Sequence, residues 1–244
     1  QQKVLQITGM SLYLILLIGS LLFPLALSFD RKVAFFRHWP SLIPSLLLTG
    51  AFFIVFDIWF AKRAIWGFNP DYHSGIVLAG LPLEEWLFFI VIPYASIFIH
   101  YVLIAYFPAK VLSNRVTSGI TITLILILAM GILTHPARSY TLVYLLLMIV
   151  VLVISYIMKD RLLNRFYISF LVILIPFIII NGILTGSFIE GEVVWYNPEE
   201  ITGIRLGTIP VEDFAYGFSM ILINLMLMNC FRKKLVKIIK DNQA

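Results

Sequence analysis

Charge is what this chain has least of. Asp, Glu, Lys and Arg make up 13% of its 244 residues, where a soluble domain carries about 25%. With 61% hydrophobic residues, this excludes a water-soluble globular chain and points to an integral membrane protein. Cysteine is nearly as scarce: Cys230 stands alone, which excludes an intrachain disulfide and a multi-cysteine metal site. The histidines do not cluster. His100 has no second ligand four residues on, His38 and His135 fall in loops, and His73 lies in an acidic loop. No metal is expected. The net charge of +5 comes from Lys and Arg flanking apolar runs, not from a basic face or motif, so no nucleic-acid partner is expected. No Gly-x-Gly-x-x-Gly follows a strand, which leaves a Rossmann flavin site unsupported. No cofactor is expected.

What the chain has in abundance is long apolar runs. They span about 4–28, 41–61, 83–107, 116–133, 140–158, 167–185 and 211–231, each of a length that crosses a bilayer as a helix. The fold class expected is an all-α integral membrane protein with seven transmembrane helices. The first run imitates a signal peptide, with Lys3 before it and Ala26-Leu27-Ser28 at its end. It exceeds the usual ~7–15 residue apolar region and is followed by Arg31, Lys32 and Arg37, so it is expected to be retained. Because the sequence opens on Gln1, a residue or tag ahead of it is expected to be missing. Pro24, Pro93 and Pro176 sit inside runs, as membrane helices tolerate, and Pro176 is expected to kink the sixth.

Basic residues give an orientation. Thirteen lie on one side: Arg31, Lys32, Arg37, Lys110, Arg115, Lys159, Arg161, Arg165, Arg232, Lys233, Lys234, Lys237 and Lys240. Five lie on the other: Lys3, Lys62, Arg63, Arg138 and Arg205. The positive-inside rule then places the N-terminus outside and the C-terminus in the cytoplasm, in a bacterial or archaeal cell membrane. Ten of the thirteen acidic residues lie near the outer ends of the second, third, sixth and seventh helices.

An internal repeat organises the chain. Shifted by 128 residues, Asn69-Pro70 falls on Asn197-Pro198, Gly75-Ile76 on Gly203-Ile204 and Leu78 on Leu206. Pro82 falls on Pro210, Glu84 on Glu212 and Glu85 on Asp213. Trp66 meets Trp195 one residue out of step, and Asp57 meets Asn181 if four residues are inserted. The reading is a duplicated three-helix unit: a first repeat over 1–110, a connector helix over 111–138 and a second repeat over 139–244. Three crossings invert a chain, and the connector adds the crossing that restores its direction. Both motif loops then lie on one side, as a parallel repeat rather than an inverted one.

Two adjacent carboxylates open each of two membrane helices, and ionisable groups there are a functional-site hypothesis by default. Neighbouring helical positions point about 100° apart, so Glu84 and Glu85 cannot both face one cavity. One is expected to face it, the other to pair with a donor such as Arg63 or an indole N–H. Phe88 and Phe89 lie four residues beyond Glu84 and Glu85, and Tyr216 four beyond Glu212, so each pair shares a face. A protonated carboxyl beside aromatic faces suits proton transfer to an alkene, because ring faces shield a cation. Taken singly, each of these aromatics better suits a lipid-facing belt. Asp57 is a candidate at the outer end of the second helix. Asn69 and Asn197 are expected to shape a cap over the site.

At this point a resemblance becomes specific. Trp-x-Phe-Asn-Pro, then Gly-Ile-x-Leu-x-Gly-x-Pro-x-Glu-Glu at the mouth of a membrane helix, present twice, resembles the membrane-embedded, flavin-free lycopene cyclases. These include heterodimeric bacterial enzymes, whose two small subunits correspond to the two halves here, and the cyclase part of fungal phytoene synthase/lycopene cyclase fusions. The first half matches at Trp66, Asn69, Pro70, Gly75, Pro82, Glu84 and Glu85. The second departs at Asp213 and at the shifted Trp195. The resemblance implies lycopene as substrate, with membrane lipid around it, and a redox-neutral acid–base cyclisation of its linear ends. Lycopene would become β-carotene by way of γ-carotene through a carbocation. It implies that Glu84 or Glu85 and Glu212 or Asp213 share the catalytic acid and base roles. Asp57, Arg63, Trp66, Asn69, Phe88, Phe89, Asn181, Trp195, Asn197 and Tyr216 would bind substrate or shape the site. A homo-oligomer is left open.

Other classes fit less of the sequence. A proton- or ion-coupled transporter would use carboxylates between repeats, but the acids cluster at one membrane face with no polar trail across it. A retinal-binding seven-helix receptor would need a lysine between Val211 and Phe231, where there is none. Asp-rich magnesium motifs of an intramembrane prenyltransferase are absent. A Glu-Glu intramembrane protease would need further ligands where Trp86-Leu87-Phe88-Phe89-Ile90 stands.

Overall fold

The computed structural model describes residues 10–158 and 161–241. The start of the first apolar run, with Lys3, and Lys159 lie outside the described residues. Helices dominate: α1 (Leu12–Leu27), α2 (Trp39–Lys62), α3 (Leu83–Tyr106), α4 (Asn114–Thr134), α5 (Ser139–Met158), α6 (Leu162–Leu184) and α7 (Val211–Asp241). Among the described residues, α2 to α7 contain six spans long and apolar enough to cross a membrane. α1 is apolar but has only 16 residues, about 24 Å at 1.5 Å per residue.

Local chemistry sets the helix ends. Ser11 and Ser113 accept the N–H groups of Leu14 and Val116 and so begin α1 and α4, each satisfying one orphan donor of a first turn. Pro82 precedes α3 as its cap residue, in extended backbone. Two ends differ from the apolar runs. α6 starts at Leu162, not at 167. Its first turn is held by tertiary bonds, since Asn164 donates Nδ2 to the Leu112 carbonyl at 2.8 Å and to Asn114 Oδ1 at 2.9 Å. α7 continues to Asp241, not 231. The Lys and Arg residues that end its apolar run are good helix formers and suit the negative end of a helix dipole.

Three small antiparallel ladders lie in the loops before α3 and α7. β1 (Trp66–Phe68) pairs with β4 (Val194–Tyr196), Gly67 opposite Trp195. β2 (Val77–Leu78) pairs with β3 (Leu81–Pro82), and β5 (Arg205–Leu206) with β6 (Ile209–Pro210). The two loops therefore meet each other through β1 and β4. Many of their bonds recur at the 128-residue spacing. Asn69 N–H donates to the Val193 carbonyl, and Asn197 N–H to that of Ile65, both at 2.9 Å. Leu83 N–H donates to Ile76 at 2.8 Å, and Val211 N–H to Ile204 at 3.1 Å. Gly75 and Gly203 occupy the left-handed region, with φ of +82° and +78°, which a side chain would strain.

Gly67 is where the two loops come closest. A Cβ there would stand 2.5 Å from Cζ2 of Trp195, and the indole is too rigid to yield. Gly67→Ala is expected to cost about 1–3 kcal/mol, the range for overpacking a filled site. Thermal unfolding of the purified variant in detergent would read this as a lowered Tm.

α3 and α7 are the hub of the packing. α3 touches α1, α2, α6 and α7, while α7 touches α2, α5, α3 and, more sparsely, α6. α4 packs on α5 and α6. The carboxylate pairs thus sit at the starts of these two hub helices, under a lid made of their own loops.

Candidate active site

The two members of each carboxylate pair part company at once, as their angular separation requires. Glu84, almost fully buried, turns to its own loop. It accepts from Ser74 N–H and Ser11 Oγ, each at 2.6 Å, and from Ser74 Oγ at 3.2 Å. Glu212, with no exposed surface, does the same: it accepts from Thr202 N–H at 2.6 Å and Thr141 Oγ1 at 2.5 Å. These first carboxyls fasten each loop to the helix it precedes and to α1 or α5. Their donors are hydroxyls and backbone N–H groups, not Arg63 or an indole. The reason is position: Arg63 sits at the end of α2 with its guanidinium 4.6 Å from the centre of the Trp59 ring, and the Trp86 indole donates to the Leu78 carbonyl.

The second carboxyls, Glu85 and Asp213, line one cavity of about 340 Å³. α1, α3, α6 and α7 form its walls, and Trp66, Val194 and Tyr196 of β1 and β4 close the end where the acids stand. Along α3 it runs from Glu85 to Ile99, about 21 Å of helix. Almost all of that length is apolar, including Phe88, Ile92, Ile173, Phe177, Ile180 and Met220. A narrow slot with two carboxyls at one end suits a long hydrocarbon whose terminus is the reacting part.

The two carboxyls are held differently. Asp213 accepts from Tyr140 and Tyr196 hydroxyls and from Asn181 Nδ2, all at 2.9 Å. Glu85 has one such donor among the described residues, the Tyr13 hydroxyl at 2.6 Å. Three donors favour a carboxylate anion; one donor in an apolar surround favours it less. Burial, with Asp213 beside it, pushes the Tyr196 phenol well above its ordinary value, so Tyr196 stays a donor. Tyr13, Trp66, Phe88, Tyr196 and Tyr216 put their rings on the cavity near the acids.

Of the residues singled out from sequence, the cavity brings together Glu85, Asp213, Trp66, Phe88, Asn181 and Tyr216. It does not include the others. Phe89 is buried against Phe53. Asn69 and Asn197 accept the N–H groups of Asp71 and Glu199 and shape the loops. Trp195 packs over Gly67. Asp57, buried on α2, does not line the cavity either, though its carboxyl stands close enough to that of Glu85 for the two charges to interact. It accepts from Tyr144 at 3.1 Å, and Tyr144 stacks on Phe53 and meets Tyr216 at 4.9 Å between ring centres.

Several residues of the site went unnoticed in the sequence. Ser74 and Thr202 are both hydroxyl residues at the 128-residue spacing, each directly before its glycine, and that signal was available. Tyr196 stands at the same spacing from Phe68. Tyr13, Tyr140 and Thr141 lie in plain apolar helices and Ser11 caps one of them, and nothing local marks these residues as donors to a carboxyl.

A family model described as Lycopene cyclase matches residues 10–103 and again residues 137–231. No curated protein and no solved structure matches the chain.

Proposed function

The chain belongs to the lycopene cyclase family, and on that premise we propose that it closes the linear ends of lycopene into β-ionone rings, giving β-carotene by way of γ-carotene. Glu85 gives its proton to the terminal alkene, and a tertiary cation forms. The neighbouring double bond attacks that cation and closes a six-membered ring, leaving a new cation in the ring. Asp213 removes a ring proton to form the cyclohexene double bond. One proton enters and one leaves, so the reaction is an isomerisation with no net redox change. The observation that carries this reading is that one carboxyl from each pair, and only the second of each, opens on the same apolar slot. Tyr13 positions Glu85; Asn181, Tyr140 and Tyr196 hold Asp213 as the anion that accepts a proton. The rings of Trp66, Phe88 and Tyr216 shield the cation from water.

The setting we propose has the seven helices crossing the membrane, N-terminus outside and C-terminus in the cytoplasm, as a parallel duplication of 1–110 and 139–244 about the connector. The bonds that recur at the 128-residue spacing support the duplication. If both ends use this slot, one end of the polyene reacts at a time and the monocyclic product must turn round.

Expression in a lycopene-accumulating bacterium tests the activity. Chromatography of the pigments is expected to show lycopene falling, γ-carotene rising first and β-carotene following. A lycopene pool that stays intact while the protein is present and folded in the membrane contradicts the proposal.

A further inference from the structure

The acid end of the slot is closed by β1 and β4, so a polyene cannot arrive from that side. The other walls differ in how well they are sealed. α1 makes its tertiary hydrogen bonds to α3, through Ser11, Tyr13 and Ser28 to Glu84, Glu85 and Tyr94. α6 bonds to α3 and α7, through Ser169 to His100 and Asn181 to Asp213. Both helices flank the slot, and residues that line it there also lie on the outer surface. Phe23 is 70% exposed, and Gly19 and Pro176 are exposed as well, yet all three line the cavity. A residue that faces the slot and the exterior together marks an opening in the wall. The surface around it is apolar, with Ile18, Leu22, Leu171, Ile175 and Ile179 exposed, so the opening faces lipid hydrocarbon. It lies deep: Phe23 is ten residues along α1 from Tyr13, about 15 Å from the acids.

We propose that the gap between α1 and α6 is a lateral portal through which the linear end of the polyene passes from the bilayer into the slot, with Gly19 as the position that keeps it open. This rests on the cyclase reading. A hydrocarbon dissolved in the membrane need never cross water on this route, and its terminus reaches Glu85 and Asp213 by sliding along α3. A Cβ at Gly19 would meet nothing within 4 Å, so a side chain can start from this position without a clash at its first carbon. Pro24 and Pro176 each interrupt the hydrogen-bond ladder of their helix next to the gap, which lets the two helices part.

Gly19→Trp tests this, with Gly119→Trp as the matched control, because Gly119 on α4 also has nothing within 4 Å of its Cβ. Purified protein carrying Glu85→Gln in every case is placed in liposomes, lycopene is added, and its induced circular dichroism is followed, which reads uptake without chemistry. Gly19→Trp is expected to slow uptake at least tenfold, with Gly119→Trp as fast as the parent. Uptake by Gly19→Trp at the parent rate overturns the portal. Failure of the parent itself to take up lycopene overturns the cyclase reading, and the portal with it. If Gly19→Trp does not fold, Gly19→Cys in a Cys230→Ser background is blocked with a benzyl thiol reagent after folding. The same slowing supports the portal, and unchanged uptake overturns it.

Discussion

Glu85→Gln and Asp213→Asn are each expected to lower the rate of cyclisation by roughly 10²–10⁴, the range over which a positioned acid or base contributes, while the protein stays folded. In Glu85→Gln the new amide oxygen would still accept from Tyr13, so the wall of the slot is unchanged; what is lost is a proton that can leave. At 213 the amide oxygen can serve the donors on one side, but the NH2 group meets a donor on the other, so a loss of about 1–2 kcal/mol in stability accompanies the loss of the base. The two effects separate in a single-turnover assay on purified protein with lycopene already bound. Bound polyene seen by its absorbance, unchanged in amount, with no ring formed, is the expected outcome for both variants. Turnover within threefold of the parent in either would remove that carboxyl from the chemistry.

The first carboxyl of each pair behaves in the opposite way. Glu84→Ala and Glu212→Ala are expected to destabilise the protein by up to about 2–6 kcal/mol, since each takes the acceptor from a backbone N–H and a hydroxyl, at about 1–3 kcal/mol per group. At Glu84 these are the Ser74 N–H and the Ser11 hydroxyl; at Glu212, the Thr202 N–H and the Thr141 hydroxyl. The loops that cap the slot would loosen with them. Glu84→Gln and Glu212→Gln keep an acceptor oxygen in place and are expected to recover most of the Tm and to cyclise within about tenfold of the parent. Thermal unfolding in detergent beside pigment conversion checks both halves. Abolished conversion by Glu84→Gln with an unchanged Tm would mean that the proton comes from the first carboxyl and not the second.

Much of this could be read from the chain before any fold was known, and particular residues show why the rest could not. The apolar runs and the 128-residue repeat depend on composition and order alone, so the helices and the carboxylate pairs were legible. The choice within each pair was not. Helical geometry says that Glu84 and Glu85 diverge by about 100° but not which faces the slot, because that depends on where α1 and α6 stand. Asp57 and Asn181 look like counterparts in the sequence. In the fold they take different partners, Asp57 accepting from Tyr144 and Asn181 donating to Asp213. Tyr13 and Tyr140 are tyrosines in apolar helices, and only the packing of α1 on α3 and α5 on α7 turns them into donors to a carboxyl. The asymmetry that leaves one slot open and fills the opposite side with Phe53 and Tyr144 is likewise a product of side-chain volumes that a motif does not encode.

In the proposed reaction a ring forms by one carboxyl giving a proton and another taking one. Its most direct test is a single turnover of lycopene on purified protein equilibrated in D2O, with the product analysed by mass spectrometry and deuterium NMR. The account predicts one deuterium per ring formed, on the ring carbon that was the protonated end of the alkene, and a product otherwise isomeric with lycopene. A product with no deuterium, or one differing from lycopene by two hydrogens, would contradict it.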